Sequence, residues 1–339
     1  MKPIGQALLA VAVTASLVTG GGAWAQTIEL KFADQVPVGH VASKEGNQIF
    51  MKMVEAAAKG RVKFSHFPQQ QLAKPEGMLD AVRNRIADIA LVGVVYVSDR
   101  MPLTGAIELP GTFDSVVKGH AALEKLVRNE LLPHFLGMNV RPLWAMTTAP
   151  FQLVMKRPTP ITGAADLAGV KLRTAGATAQ LVAKALGATP VTIATPELYQ
   201  SLDRGIVDGA IFTLSVVKSW KLDEVAQSFT TNAELGSVAF VVLINENVWK
   251  TIPADIQAIM ADAGLRTGAH LAKAIQVTED SEIARLKAAG KTVYELSANA
   301  RAELSQRLAG VQGTWLAQMR QRNLPGEQIL EAYKRYLKE

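Results

Sequence analysis

Residues 165–211 read ADLAGVKLRTAGATAQLVAKALGATPVTIATPELYQSLDRGIVDGAI, and the order of elements in this stretch sets the fold. Val170–Arg173 is a short strand, and Ala177–Leu186 is a helix closed by Gly187, a residue that takes the left-handed C-cap without strain. Pro190–Ile193 is the next strand. Thr195-Pro196-Glu197 then supplies an N-cap, a first-position proline and a first-turn acid, which opens the helix Leu198–Asp203. Ile206–Phe212 completes a β-α-β-α-β run. Strands alternating with helices call for a parallel or mixed sheet covered on both faces.

The same order occurs earlier in the chain. Ile28, Leu30 and Phe32 alternate with Glu29 and Lys31, the period of a half-buried strand. Glu45–Lys59 is helical and stops at Gly60, Arg61–Phe67 is a strand, and Glu76–Arg85 is a helix. Ile86–Val97 (IADIALVGVVYV) is a nearly continuous apolar run, read as a parallel strand buried on both faces. Setting IADIAL (86–91) beside IVDGAI (206–211) aligns Ile86 with Ile206, Asp88 with Asp208 and Ala90 with Ala210. Two lobes of similar βαβ construction are therefore expected. Beyond residue 250 the pattern turns helical. Ile252-Pro253-Ala254-Asp255 starts a helical stretch reaching about Ala289, which is long enough to be read as two helices and placed to lie across both lobes. Lys291–Tyr294 returns as a strand, and Ala298–Met319 and Gly326–Leu337 finish as helices.

Composition removes many functions. The chain has 339 residues, 49% of them hydrophobic and 19% charged, ample for a sizeable core and incompatible with a disordered chain. It has no cysteine, which excludes disulfides, thiolate zinc sites, iron–sulfur clusters and cysteine nucleophiles. A net charge of +6 is spread along the chain rather than gathered in a tail, so nothing suggests a nucleic-acid partner. His40, His66, His120, His134 and His270 are scattered, without a metal-binding spacing, and there is no G-x-S-x-G elbow. Neither a catalytic metal nor a cofactor is expected. Lys2, the apolar run Ala7–Val18 and the small residues Ala23 and Ala25 form a secretory signal peptide over residues 1–25, with cleavage after Ala25. The apolar run is shorter than the ~20 residues a bilayer-spanning helix needs. The mature chain is expected to be periplasmic and not itself membrane-spanning.

From Ala165 onward the chain strongly resembles the central block of TRAP-transporter solute-binding subunits, the DctP family. The resemblance is carried by Asp166-Leu167-Ala168-Gly169-Val170-Lys171-Leu172-Arg173, then Gly187-Ala188-Thr189-Pro190, Glu197 with Tyr199, and Gly205-Ile206-Val207-Asp208-Gly209. Gly60-Arg61-Val62, Phe67-Pro68-Gln69-Gln70-Gln71-Leu72, Glu108-Leu109-Pro110 and Asn245-Glu246-Asn247-Val248-Trp249 are similar to its flanking landmarks. What the resemblance implies is an α/β, two-lobed periplasmic-binding-protein fold of type II-like organisation, with discontinuous lobes and a long helix across them. Lobe I would be residues 26–150 with 239–278, and lobe II residues 151–238 with 279–339. It further implies a receptor that closes on a small organic acid and delivers it to the small and large membrane subunits of an ion-gradient-driven permease.

By the same resemblance Arg173 is the carboxylate-binding arginine. It sits at the C-terminal end of a strand, where open α/β sheets place ligands, and its guanidinium offers a bidentate fork. Two departures from the family pattern bear on the ligand. Thr148–Leu153 lacks a second arginine, although Arg157 lies further on, and Phe212 followed by Thr213 stands where an asparagine is common. Phe151 and Phe212 then give the pocket an apolar remainder. An aliphatic, aromatic or keto monocarboxylate is expected rather than a sugar acid or small dicarboxylate. Gln35 and His40, in the loop after the first strand, Tyr96, and Trp220 complete the candidate ligand residues; His40 equally suits a helix start, and Trp220 suits core or hinge packing. A receptor for an ATP-driven importer or sensor kinase is one alternative. A periplasmic lyase or isomerase using Glu197 and Tyr199 is another.

Overall fold

The computed structural model describes residues 27–339; the signal-peptide reading and its cut after Ala25 lie outside the described residues. The strands are β1 (Ile28–Ala33), β2 (Val62–Phe67), β3 (Ile89–Gly93), β4 (Val140–Thr147), β5 (Gln152–Met155) and β6 (Lys171–Thr174). Then follow β7 (Thr189–Thr192), β8 (Gly209–Phe212), β9 (Ser228–Thr230), β10 (Ala239–Asn245) and β11 (Thr292–Tyr294). The helices are α1 (Gln48–Ala57), α2 (Met78–Arg83), α3 (Val116–Asn129), α4 (Leu132–Gly137), α5 (Gly176–Ala185) and α6 (Leu198–Asp203). They continue with α7 (Glu246–Thr251), α8 (Ala254–Ala288), α9 (Ala298–Gln321) and α10 (Gly326–Tyr336).

Two mixed sheets result, ordered β2-β1-β3-β10-β4 and β11-β9-β5-β8-β6-β7. In the first, β1 runs parallel to β2 and β3, and β10 runs antiparallel to β3 and β4. The second repeats this with β6 parallel to β7 and β8, and β5 antiparallel to β8. The chain passes between the sheets through residues 148–151 and 231–238. These segments lie side by side, Thr148 N donating to the Val238 carbonyl (3.0 Å) and Leu235 N to the Phe151 carbonyl (2.9 Å).

The third passage is α8, one continuous helix of 35 residues rather than the two expected. Its buried positions, from Ile256 through Met260, Ala263, Thr267, Leu271 and Ile275 to Leu286, form one unbroken stripe at helical spacing. Length alone is a poor reason to divide it. Gly264 does not break the helix; a Cβ there would lie 2.4 Å from the Leu143 carbonyl oxygen, so the glycine lets α8 press against β4. At its far end α8 packs on the turn after β8 and on β11 of the second sheet. The C-terminal α10 packs on α3, beside the first sheet, although the sequence reading assigned it to the second lobe.

A second correction concerns the apolar run Ile86–Val97. Only Ile89–Gly93 is strand, it is antiparallel to β10 on one side, and Val94–Val97 forms a 3-10 turn. The run ends as a strand at Gly93, where a Cβ would stand 2.8 Å from the Tyr96 ring. The chain folds back over that glycine, which carries Tyr96 out over the edge of the sheet. The sequence reading assigned no regular element to β4, β5, β9, β10 or to α3, α4 and α7.

Candidate functional site

Arg173 lies one residue before the C-terminal end of β6 and is 1% exposed. Its Nε donates to the Ile193 carbonyl (2.8 Å) and its Nη2 to Thr195 Oγ1 (2.9 Å). The guanidinium carbon stands 5.4 Å from the centroid of the Phe212 ring, within cation–π range. Burial lowers its pKa, opposed by the Tyr96 phenol alone; no described carboxylate contributes. A buried cation in contact with no anion is costly, and a ligand carboxylate would supply the missing partner.

The arginine faces a cavity of about 60 Å³ between the C-terminal ends of the two sheets. At the ~10–15 Å³ one water-sized body occupies, this is room for a small compact molecule. Arg173, Phe212, Thr213, Phe151, Gln35, Tyr96 and Trp220 all line it. Phe151 is 5% and Phe212 4% exposed, and both serve as cavity wall as well as core. Trp220 packs against the cores on both sides of the cleft, and its ring lies 6.0 Å from that of His40. Of packing and ligand contact, the two roles the sequence offers for this residue, the structure shows the packing and puts the ring in the cavity wall. Gln35 is 3% exposed, and its Oε1 is buried without a hydrogen-bond partner.

His40 also takes both roles weighed for it. Its Nδ1 accepts from Ala42 N (3.1 Å) at the start of the following helical segment, and its ring lines the cavity. Burial draws its pKa down to about 4 against the pull of Asp34, so the ring is neutral near pH 7. Arg157 lines no part of this cavity; its Nη2 donates to the Asp166 carbonyl (3.1 Å) on the surface. Arg173 is thus the one guanidinium in the wall.

The sides of the cleft touch. Tyr96 Oη and Thr195 Oγ1 are 2.8 Å apart, so Arg173, Thr195 and Tyr96 form a hydrogen-bonded chain from one sheet to the other. Nearby, Gly176 has φ +79°, and a Cβ there would fall 2.4 Å from Val95 Cγ2. Only a glycine tolerates both the left-handed backbone and that approach.

Thr195 is the residue the sequence reading most misplaced. Its hydroxyl does not cap the helix; Ala194 holds the cap position, and the hydroxyl turns toward Arg173 and Tyr96. The signal available was position, since Thr195 follows the C-terminal end of a parallel strand. Ser215 and Thr148, which the sequence did not single out as ligand residues, also line the cavity. Glu197 and Tyr199 do not: Glu197 is exposed, and the Tyr199 hydroxyl donates to Glu224 Oε2 (3.0 Å). The enzyme alternative loses its two residues as a shared site. No helix among the described residues is long and apolar enough to cross a membrane.

Residues 32–315 match the profile of bacterial extracellular solute-binding protein, family 7, DctP. The C4-dicarboxylate-binding periplasmic protein DctP of Rhodobacter capsulatus is 28% identical, over 88% of this chain and 90% of that protein. A TRAP solute-binding protein from Rhodoferax ferrireducens, crystallised with copurified benzoate, superposes with a TM-score of 0.86 at 25% identity, covering 92% of this chain and 98% of its own. A marine metagenome TRAP solute-binding protein specific for aromatic acid ligands, in complex with metahydroxyphenylacetate, gives the same TM-score of 0.86, identity of 25% and coverage of 92% and 98%.

Proposed function

The chain belongs to the DctP family of TRAP solute-binding proteins, a family of receptors rather than enzymes, and from that premise we propose that its solute is a monocarboxylate with an apolar, aromatic body. One observation carries this reading: Arg173 is 1% exposed, has no carboxylate partner among the described residues, and faces a cavity walled by Phe151, Phe212 and Trp220. A ligand carboxylate takes the guanidinium's free donors, and its ring lies among the aromatic walls. A second carboxylate on the ligand would meet no second cation and remain a stranded charge. This reading is closer to the ligand named for the benzoate-bound neighbour than to that named for the dicarboxylate-binding relative.

The two sheets belong to lobes made of residues 26–150 with 239–278 and residues 151–238 with 279–339, and the packing of α10 on α3 supports counting α10 with the first. Residues 148–151 and 231–238 serve as the hinge, with α8 as the third crossing. Ligand selects the closed form because only there do residues from both lobes reach it. The loaded receptor then docks on a membrane permease with a small and a large integral subunit, driven by an ion gradient. Export proceeds with cleavage after Ala25.

The test is native mass spectrometry of gently purified mature protein, followed by denaturation and identification of what is released. An aromatic or otherwise apolar monocarboxylate is expected. A sugar acid or a small dicarboxylate would refute the reading; if the protein is recovered empty, benzoate must raise its melting temperature by mass action, and an unmoved transition refutes it equally.

A further inference from the structure

The cavity has a polar end that the carboxylate anchor does not explain. Most hydroxyls in its wall are already engaged: Thr213 Oγ1 with Ser215 Oγ (3.0 Å), Thr148 Oγ1 as acceptor from Val238 N (3.1 Å), and Tyr96 with Thr195 (2.8 Å). Gln35 is different. Its amide lines the cavity at 3% exposure, Oε1 is buried and unpartnered, and Nε2 makes no hydrogen bond among the described residues. A buried amide left unpaired in an apolar wall is destabilising, so it is poorly explained as packing.

His40 stands in the same loop after β1. Because its Nδ1 accepts the Ala42 N–H, a neutral ring carries its proton on Nε2, and that N–H has no partner among the described residues. The loop therefore contributes one free acceptor, Gln35 Oε1, and free donors on Gln35 Nε2 and His40 Nε2 to the wall of one cavity. A ligand hydroxyl is the smallest neutral group that can serve both kinds, donating to Gln35 Oε1 while accepting from His40 Nε2–H. A carboxylate would press its charge against Oε1 with no cation at hand, and a bare hydrocarbon edge would leave both groups unpaired.

We infer that the ligand is a hydroxy-substituted aromatic monocarboxylate, its carboxylate on Arg173 in one lobe and its hydroxyl read by Gln35 and His40 in the other. This rests on the apolar monocarboxylate reading and narrows it. Anchor and reader come from opposite sheets, Arg173 near the end of β6 and Gln35 following β1, so a hydroxylated acid spans the cleft while benzoate satisfies only one side.

Calorimetry on the mature protein with benzoate and its 2-, 3- and 4-hydroxy derivatives tests this. At least one hydroxybenzoate should bind about tenfold or more tightly than benzoate, since a site built to hydrogen-bond a hydroxyl discriminates against the analogue that lacks it. Gln35→Met keeps the side-chain length and removes both polar ends, so the ratio of the two affinities should collapse toward one. The readout is that ratio, which a general loss of affinity leaves unmoved. If the wild type binds benzoate at least as tightly as every isomer, or the preference survives Gln35→Met, the hydroxyl reading is overturned on its own. If the wild type binds none of the four acids, the underlying aromatic-acid reading falls, and this inference with it.

Discussion

The β1–β3 and β6–β8 units are two copies of one frame, and their likeness extends to single hydrogen bonds. Asp88 Oδ2 accepts Lys31 N (2.8 Å), and Asp208 Oδ2 accepts Lys171 N (2.9 Å). In return Asp88 N reaches the Lys31 carbonyl (3.0 Å) and Asp208 N the Lys171 carbonyl (2.8 Å). Each unit has a 3-10 turn carrying Pro-Glu before its short helix, and each helix ends in a left-handed residue, Arg85 at φ 60° and Gly205 at φ 68°. Counting two residues on from those lysines, the first unit has Ala33 and the second Arg173. One further on are Asp34 and Thr174. The first unit thus buries an acid whose oxygens are filled by Asn47 Nδ2 (2.9 Å), His66 (3.2 Å) and Val36 N (3.0 Å). The second buries a cation left with donors to spare.

The comparison teaches where function resides on a duplicated scaffold. A buried charge whose partners are all internal shapes a loop, whereas a buried charge missing its counter-ion awaits one from outside. Its sharpest challenge is Arg173→Met. Affinity for the native acid should fall by about 2–5 kcal/mol, because the ligand carboxylate would then be buried unpaired. Calorimetry reads it, and unchanged affinity would falsify the anchor assignment.

A smaller effect is expected at the frame itself. Asp88→Ala and Asp208→Ala each remove one carboxylate-to-backbone bond, so each should lower the free energy of unfolding by about 1 kcal/mol. Urea titration of the two variants side by side checks the equivalence; a large loss from one and none from the other breaks it. The smallest effect should come from the link between units. Tyr96→Phe deletes the hydroxyl that bonds Thr195 across the cleft. Losing one such bond, worth about 0.5–1.5 kcal/mol, should speed ligand dissociation roughly threefold to tenfold with association little changed. Stopped-flow kinetics in which only association slows would show that the bond does not hold the closed form.

Much of this was legible beforehand. The aligned IADIAL and IVDGAI segments foretold the paired aspartates, because a strand entry needing the same backbone bond selects the same short acid. The position of Arg173 in the cavity wall was legible from its motif and its place at a strand end. Thr195 was misread as a cap because a Thr-Pro-Glu string is locally indistinguishable from one, and only the guanidinium beside it reveals the other use. The strand through Ile86–Val97 was overextended for a related reason. Hydrophobic runs report burial and not direction, and nothing local to Gly93 announces that Tyr96 will occupy the space beside it. The mainly apolar stripe of α8, by contrast, was present in the sequence from Ile256 to Ile275; it runs on through the buried Glu279 and Glu282 to Leu286, and the helix was divided only on grounds of length.

The amino-acid order by itself determined the class of fold, the twofold βαβ plan and the absence of thiol chemistry, and its family motif singled out Arg173 as the arginine to examine. Each follows from periodicity, residue type or a contiguous motif. The tertiary structure alone decided that residues as distant as Gln35, Tyr96, Phe151, Thr195 and Trp220 wall one cavity, and that Gln35 stands there without a partner. Whether a buried polar group is satisfied depends on every chain segment around it, and those neighbours are set by packing across the whole molecule.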